Sequence, residues 1–242
     1  FWLFRVGMNG DGLAEERQQV YSLGGSIAAS RIVARSRVTL GVDGSYREQD
    51  FTLRDGTRSV NVLRTYGASA LGVRAIDDHW SWGAKANANY SDFLNEDLAA
   101  RVAPAIEYNY FPWAEATRRQ LTFLYSLGVS HYDFQEITIY DRLRQTNVDH
   151  QLIVAASARQ PWGSVNVTGT GTQFLDEPRF YNLRLSGFVG LRIAKGLEIN
   201  VGGNAERVRD QIFLARGGLT DEQILVRQRA LATGYRVTGF MS

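Results

Sequence analysis

Apolar and polar residues alternate strictly along residues 80–91, which read WSWGAKANANYS. Trp80, Trp82 and Tyr90 fall on one side of an extended chain with three alanines between them, whereas Lys85 and two asparagines fall on the other. Successive side chains of a β-strand point to opposite faces. The period of two therefore predicts a strand with one apolar and one polar face.

The same alternation recurs along the chain and predicts twelve strands, with ten or fourteen as alternatives. We place the strands at about residues 1–9, 19–30, 35–47, 58–75, 79–92, 98–112, 117–133, 147–160, 163–174, 179–193, 196–209 and 223–242. Helical patterns are short and scarce, and no repeat of about 40 residues indicates a β-propeller. The sequence thus predicts one all-β domain over residues 1–242.

The predicted connections alternate between short turns and longer loops. Residues 32–35 and 194–196 are examples of the short turns, and residues 10–18, 134–146 and 210–223 of the long loops. Antiparallel up-and-down strands with tight turns at one end and long loops at the other are typical of transmembrane barrels. Both ends of the chain then lie on the side of the short turns.

Composition narrows the class of protein. Hydrophobic residues make up 44% of the 242, yet no stretch approaches the roughly 20 apolar residues of a transmembrane helix. The chain has no cysteine, which excludes disulfides, cysteine-ligated metals and a thiol nucleophile. A net charge of +2 gives no basic footprint for nucleic acid. The chain opens inside an apolar stretch, which predicts a mature or trimmed form.

Three details favour lipid as the solvent of the apolar face. The predicted strands run to about 12–16 residues, against about 5–6 in globular proteins. The polar face is rich in small residues, and aromatic residues gather where strands would cross a membrane interface. These interfacial residues are Trp80, Trp82, Trp113 and Trp162 near the short turns, and Tyr46 and Tyr90 towards the long loops.

The whole chain resembles Gram-negative outer-membrane β-barrels. Its final segment, RALATGYRVTGFMS, is similar to the last strand that such proteins present to the barrel-assembly machinery, although it stops at Ser242 rather than at an aromatic residue. The resemblance implies a single transmembrane β-barrel with short periplasmic turns and longer extracellular loops. It also implies a location in the bacterial outer membrane, contact with lipid and lipopolysaccharide, and insertion by the assembly machinery.

Arginines dominate the face that we predict to line the interior. The basic residues placed there are Arg37, Arg64, Arg74, Lys85, Arg101, Arg184, Arg192 and Arg236, together with Arg5, Arg47, Arg118 and Arg159. The acidic residues placed there are Asp43, Glu107, Glu198 and Glu206. Arginine rings favour anions in narrow pores, so the pattern predicts a porin-like passive channel for small anionic solutes.

The alternative is a barrel whose interior is filled by paired charges. Such a closed barrel would act as a scaffold or bind a protein partner, which the sequence does not identify. The excess of bases argues against complete pairing, because unpaired buried charge is costly.

The sequence predicts no enzymatic activity, no cofactor and no metal site. His131 and His150 flank the predicted loop 134–146 and would be cross-strand neighbours if that hairpin paired symmetrically. Together with Asp133 and Asp149 they would then offer a metal site or a general base. The main interpretation places these histidines, like His79, in the interfacial girdle.

Overall fold

The computed structural model describes residues 1–52, 56, 58–112, 115, 118–194, 196–217 and 232–241. Its strands are β1 (Leu3–Ala14), β2 (Gln18–Val33), β3 (Ser36–Thr52), β4 (Arg58–Ala75), β5 (Trp80–Ser91), β6 (Glu96–Asn109), β7 (Arg119–Phe134), β8 (Arg144–Gln160), β9 (Gly163–Phe174), β10 (Tyr181–Ala194), β11 (Leu197–Val208) and β12 (Tyr235–Met241). They form one sheet in the order β1 to β12, and each strand is antiparallel to the next. The predicted all-β, up-and-down arrangement of twelve strands is confirmed.

The first hairpin extends further than its sequence suggests. β1 and β2 remain paired as far as Ala14 and Gln19, which leaves residues 15–17 as the connection. This is shorter than the connection 110–118 between β6 and β7, so the predicted strict alternation of short turns and long loops is wrong. Residues 10–14 contain two glycines and an aspartate and therefore look like a loop, but ladder hydrogen bonds come from the backbone and do not depend on the side chains. We call the end of the sheet that carries 15–17 the long-loop end, and the other the short-turn end.

The register fixes which side chains share a face, because residues directly opposite in an antiparallel pair lie on the same side. Val42 is opposite Ala68, and Ala68 is opposite Ala88, which defines the apolar face. Asp43 is opposite Gly67, which defines the polar face. The two-sided pattern read from the sequence is therefore present across neighbouring strands.

Burial on the two faces is the reverse of that in a water-soluble sheet. The largest fully buried side chains are all polar: Asn147, Thr138, Asp149, Ser81 and Ser130. On the apolar face, Val102 and Val129 are 59% and 50% exposed. Apolar side chains normally make up the buried set, so the packed side of this sheet is the polar one.

β1 and β12 are the two edges of the strand order. Every residue of β12 is exposed, as is every residue of β1 except the partly buried Gly7. No ladder joins these two strands among the residues that the structure describes. Within the same residues, no helix has the length and hydropathy needed to cross a membrane.

A small hydrophobic core lies at the long-loop end. It consists of four buried residues with two partly buried aromatics against them: Phe134, Phe174, Phe180 and Ile212, with Tyr132 and Phe213. These residues come from the ends of β7 and β9 and from the connections before β10 and after β11. The core therefore holds loops to strand ends.

Asn95 links the connections after β5, β7 and β11. Its amide nitrogen donates to the carbonyl oxygens of Glu136 at 3.0 Å and Phe213 at 3.1 Å, and its amide oxygen accepts the N–H of Glu136 at 2.8 Å. Its φ of 56° is a left-handed conformation that asparagine tolerates better than most residues. A bridge between Thr138 and Ala215 adds a second tie between the loops after β7 and β11.

Candidate functional site: the polar face of the sheet

The register places most of the predicted interior residues on the polar face. These residues are Arg5, Arg37, Asp43, Arg47, Lys85, Arg101, Glu107, Arg159, Arg184, Arg192, Glu198, Glu206 and Arg236. Arg118 lies in the connection before β7 instead. The polar face is therefore where any passage or binding site for charged solutes would form.

Arg64 and Arg74 are not on this face, and their prediction as interior residues is wrong. Arg64 lies opposite Tyr46, and Arg74 lies opposite Trp82, so both belong to the apolar face. Arg74 is the last residue but one of β4, and Arg64 lies beside the end of β5, so each charged side chain can reach polar groups beyond the strand ends. Arg64 does so by donating from Nε to Asp92 Oδ2 at 3.0 Å.

A buried ion pair occupies the polar face between β6 and β8. Arg101 donates from Nε to Asp149 Oδ1 at 2.9 Å, and the Ser130 hydroxyl donates to Asp149 Oδ2 at 2.5 Å. Arg101 Nη2 also reaches Ser126 Oγ at 3.4 Å. Several charge-assisted hydrogen bonds offset the cost of removing both charges from water. We call Arg101, Ser126, Ser130 and Asp149 the buried network.

Sequence reasoning missed Asp149 by grouping it with the histidines of the rim. The available signal was the polar period of two in β8, where residues of the apolar face alternate with Gln145, Asn147, Asp149 and Gln151. Asn147 continues the buried set and donates to Asp176 at 2.8 Å.

Gly128 gives Arg101 its path across β7. An added Cβ at Gly128 would lie 2.8–2.9 Å from three atoms of the Arg101 guanidinium group. That is closer than real Cβ contacts, so a side chain here would displace the arginine. Because Gly128 has no side chain, the salt bridge between Arg101 on β6 and Asp149 on β8 can pass over β7.

A second set of paired charges lies on β10 to β12. Glu206 accepts from Arg184 Nη2 at 2.8 Å and lies 3.6 Å from Arg236 Nη1. Asn182 also donates to Glu206, at 2.9 Å. Two of the predicted interior bases thus share one acid.

Five bases on the polar face make no ion pair with any residue that the structure describes. They are exposed, and four of them lie within a few residues of the short-turn end of their strands: Arg5, Arg37, Arg159 and Arg192, with Lys85 further in. We call these five residues the basic belt. Uncompensated cations on one end of a surface create an electrostatic field that attracts anions.

The numbers of bases and acids on the polar face are closer to each other than the sequence predicted. The belt plus Arg47, Arg101, Arg184 and Arg236 give nine bases on the described strands. The acids there are Asp11, Asp43, Glu96, Glu107, Asp149, Glu198 and Glu206, which are seven. The predicted excess of twelve bases over four acids is therefore wrong, and the remaining excess is concentrated in the belt.

Acids in the loops have shifted pKa values with clear causes. Hydrogen bonds from Arg142 and then Arg179 hold the pKa of Glu177 below its usual range. Burial raises the pKa of Asp92, but hydrogen bonds from Tyr90 and Arg64 outweigh it and leave the value lowered. Burial raises the pKa of Asp210. The first two carboxylates thus anchor loops as charged groups.

The two histidines near the loop after β7 are not neighbours. His131 lies opposite Thr146, and His150 lies opposite Leu127, four residues before His131 in β7. The alternative in which they pair as a metal or base site is therefore wrong. Among the residues that the structure describes, no group of three or more metal-binding side chains comes together.

The described residues that the sequence predicts to form an aromatic girdle lie towards the ends of strands or in a turn. Trp80 and Trp82 lie on the apolar face at the short-turn end of β5, and Trp80 packs against Tyr108 at 4.8 Å between ring centroids. Trp162 is 49% exposed in the turn between β8 and β9, and Tyr46 and Tyr90 lie towards the long-loop end. Trp113 lies outside the described residues.

In comparisons with known proteins, no family model and no curated protein matches this chain.

Proposed function

We propose that the chain forms a closed transmembrane β-barrel in the bacterial outer membrane and conducts small anions along its polar face. The observation that carries the proposal is the inverted burial, with polar side chains packed and valines and leucines exposed. An apolar surface of this extent is stable where its solvent is hydrocarbon. Lipid, lipopolysaccharide and the barrel-assembly machinery are the partners that this location implies.

Contacts between distant loops support closure of the sheet. On a flat sheet, β6 and β11 would lie about 24 Å apart, because neighbouring strands are spaced about 4.8 Å. Asn95, next to β6, nevertheless bonds to Phe213, only five residues after β11. The chain is not stretched there, since the N–H of Ile212 turns back to Asp210. A curved sheet brings these ends together, and pairing of β1 with β12 would remove both exposed edges.

The basic belt supports a preference for anions. Four of its five cations lie at the short-turn end, which faces the periplasm in this orientation, whereas Arg101 and Arg184, nearer the loops, are paired with acids. Unpaired guanidinium groups lining a pore raise the local concentration of anions.

Conductance and ion selectivity in planar bilayers test this proposal. The wild-type barrel should show discrete channels whose reversal potential in a KCl gradient indicates a preference for chloride. Arg37→Glu with Arg192→Glu should move the reversal potential towards that of potassium. Val102→Thr, on the apolar face, is the control and should leave selectivity unchanged. A silent or cation-selective wild-type barrel would overturn the proposal.

A second candidate function is a closed scaffold that binds a protein partner. The observation that favours it is the cap formed at the long-loop end by the hydrophobic core and the ties through Asn95. A silent barrel that purifies with a partner in fixed stoichiometry would support the scaffold.

A further inference from the structure

A cavity of about 400 Å³ opens at the short-turn end, between the turn after β2 and the turn after β4. Ile32, Val33 and Val73 give it an aliphatic wall. The backbone holds the two turns together, because the N–H of Ala75 donates to the carbonyl of Arg35 at 2.8 Å. The cavity is therefore a defined space between two fixed turns.

Two cations and two anions line the same cavity. The cations are Arg35, in the turn after β2, and Arg37, at the start of β3. The anions are Asp77 and Asp78, in the turn after β4. None of the four forms an ion pair with a residue that the structure describes, although Arg37 Nε donates to Thr39 at 3.3 Å. Charges of both signs thus face one space without neutralising each other.

Asp77 is held in place as a charged group. Its Oδ1 accepts the N–H of His79 at 2.8 Å and that of Trp80 at 2.7 Å. These two backbone hydrogen bonds lower the pKa of its carboxyl. The carboxylate therefore keeps its charge and its orientation at neutral pH.

Ser81 provides separate evidence that a polar ligand binds in the cavity. Its side chain lines the cavity and is 1% exposed, and its hydroxyl oxygen has no hydrogen-bond partner among the residues that the structure describes. A buried hydroxyl without a partner is unfavourable, so such groups in native proteins need an explanation. A polar ligand in the cavity supplies one.

We propose that this cavity binds a small zwitterion with an aliphatic side chain, of the class of a free α-amino acid. Arginine forks match the geometry of a carboxylate, and Ser81 offers a further donor to it. Asp77 and Asp78 face the ammonium group, and the wall of Ile32 and Val73 contacts the side chain. The two aspartates disfavour a ligand that carries only negative charge, such as inorganic phosphate. The inference goes beyond conduction of anions and does not require it.

The test is isothermal titration calorimetry of the full chain in detergent micelles with L-leucine as the probe. Leucine should bind at one site per chain. N-acetyl-leucine lacks the ammonium charge and leucine amide lacks the carboxylate, so each should bind about tenfold more weakly or worse. Inorganic phosphate should give no saturable heat. Equal binding of all three leucine compounds, or none by leucine, would overturn the proposal.

Variants identify the site. Arg37→Gln and Asp78→Asn should each weaken leucine binding about tenfold. Arg31→Gln, four residues from Arg35 but on the apolar face, should leave it unchanged. Ser81→Ala should weaken leucine binding and yet raise the melting temperature of the ligand-free protein, because it removes an unpaired buried hydroxyl. Unchanged leucine affinity in Arg37→Gln and Ser81→Ala would place the binding elsewhere. A barrel that conducts anions but binds no leucine would contradict the amino-acid site and leave the proposed channel function intact.

Discussion

Two arginines on the same polar face differ in burial and in pairing. Arg101, on β6, has a side chain only 18% exposed and bonds to Asp149, whose side chain is 1% exposed. Arg192, on β10, is exposed and lies opposite Glu198 without forming an ion pair among the described residues. The wall from β6 to β8 is packed with paired charge, whereas the short-turn end of the other strands presents unpaired cations. On one face, therefore, the paired charges of β6 to β8 stabilise the packing, whereas the unpaired cations create an electrostatic field.

The largest expected effect comes from breaking the buried pair. Arg101→Met should lower the free energy of unfolding by about 3–5 kcal/mol, because it leaves the Asp149 carboxylate buried without its partner. Urea unfolding in lipid vesicles measures this loss. Arg101→Met combined with Asp149→Leu should recover most of it, and a double variant as unstable as the single one would contradict this view of the pair.

Gly128 gives the next largest effect. Gly128→Ala should destabilise the protein by about 1–3 kcal/mol, because the new methyl group displaces the Arg101 guanidinium from its path. Gly169→Ala is the matched control, since a Cβ there meets nothing within 4 Å. Both are measured by the same urea titration, and equal effects at the two glycines would argue against steric guidance of Arg101.

Asp210 should show a smaller effect that depends on pH. Its raised pKa means that the fold favours the neutral carboxyl, so this stability is present at low pH and is lost as pH rises through the pKa of the folded state. Asp210→Asn should therefore raise the melting temperature by about 2–4 °C at pH 8. The gain should shrink towards pH 4. A gain that is the same at both pH values would show that ionisation of Asp210 is not its cause.

The smallest effect on stability is expected in the basic belt. Arg192→Gln should shift the melting temperature by less than about 2 °C, because an exposed side chain without an ion pair contributes little. The same variant should reduce the proposed preference for anions, measured as a reversal potential in planar bilayers. A large loss of stability would show that Arg192 belongs with the buried wall rather than with the belt.

Local pattern was sufficient to predict the strands, because the alternation of side chains is a property of each strand alone. It failed where pairing decides the outcome. Residues 10–14, which include two glycines and an aspartate, continue a ladder that their composition does not predict. Arg64 and Arg74 lie on the apolar face because of their positions in β4, despite their charge. The Arg101–Asp149 pair lies beyond such reasoning, because it depends on the relative register of three strands.

The order of the strands also has a consequence for how the molecule assembles. Each described ladder joins strands that are consecutive in sequence, so the sheet can grow one hairpin at a time with short loops to close. The bond from Asn95 to Phe213 spans 118 residues and requires the five ladders from β6 to β11 to be in place. The cap at the long-loop end is therefore expected to form after these five pairings, which bring its parts together.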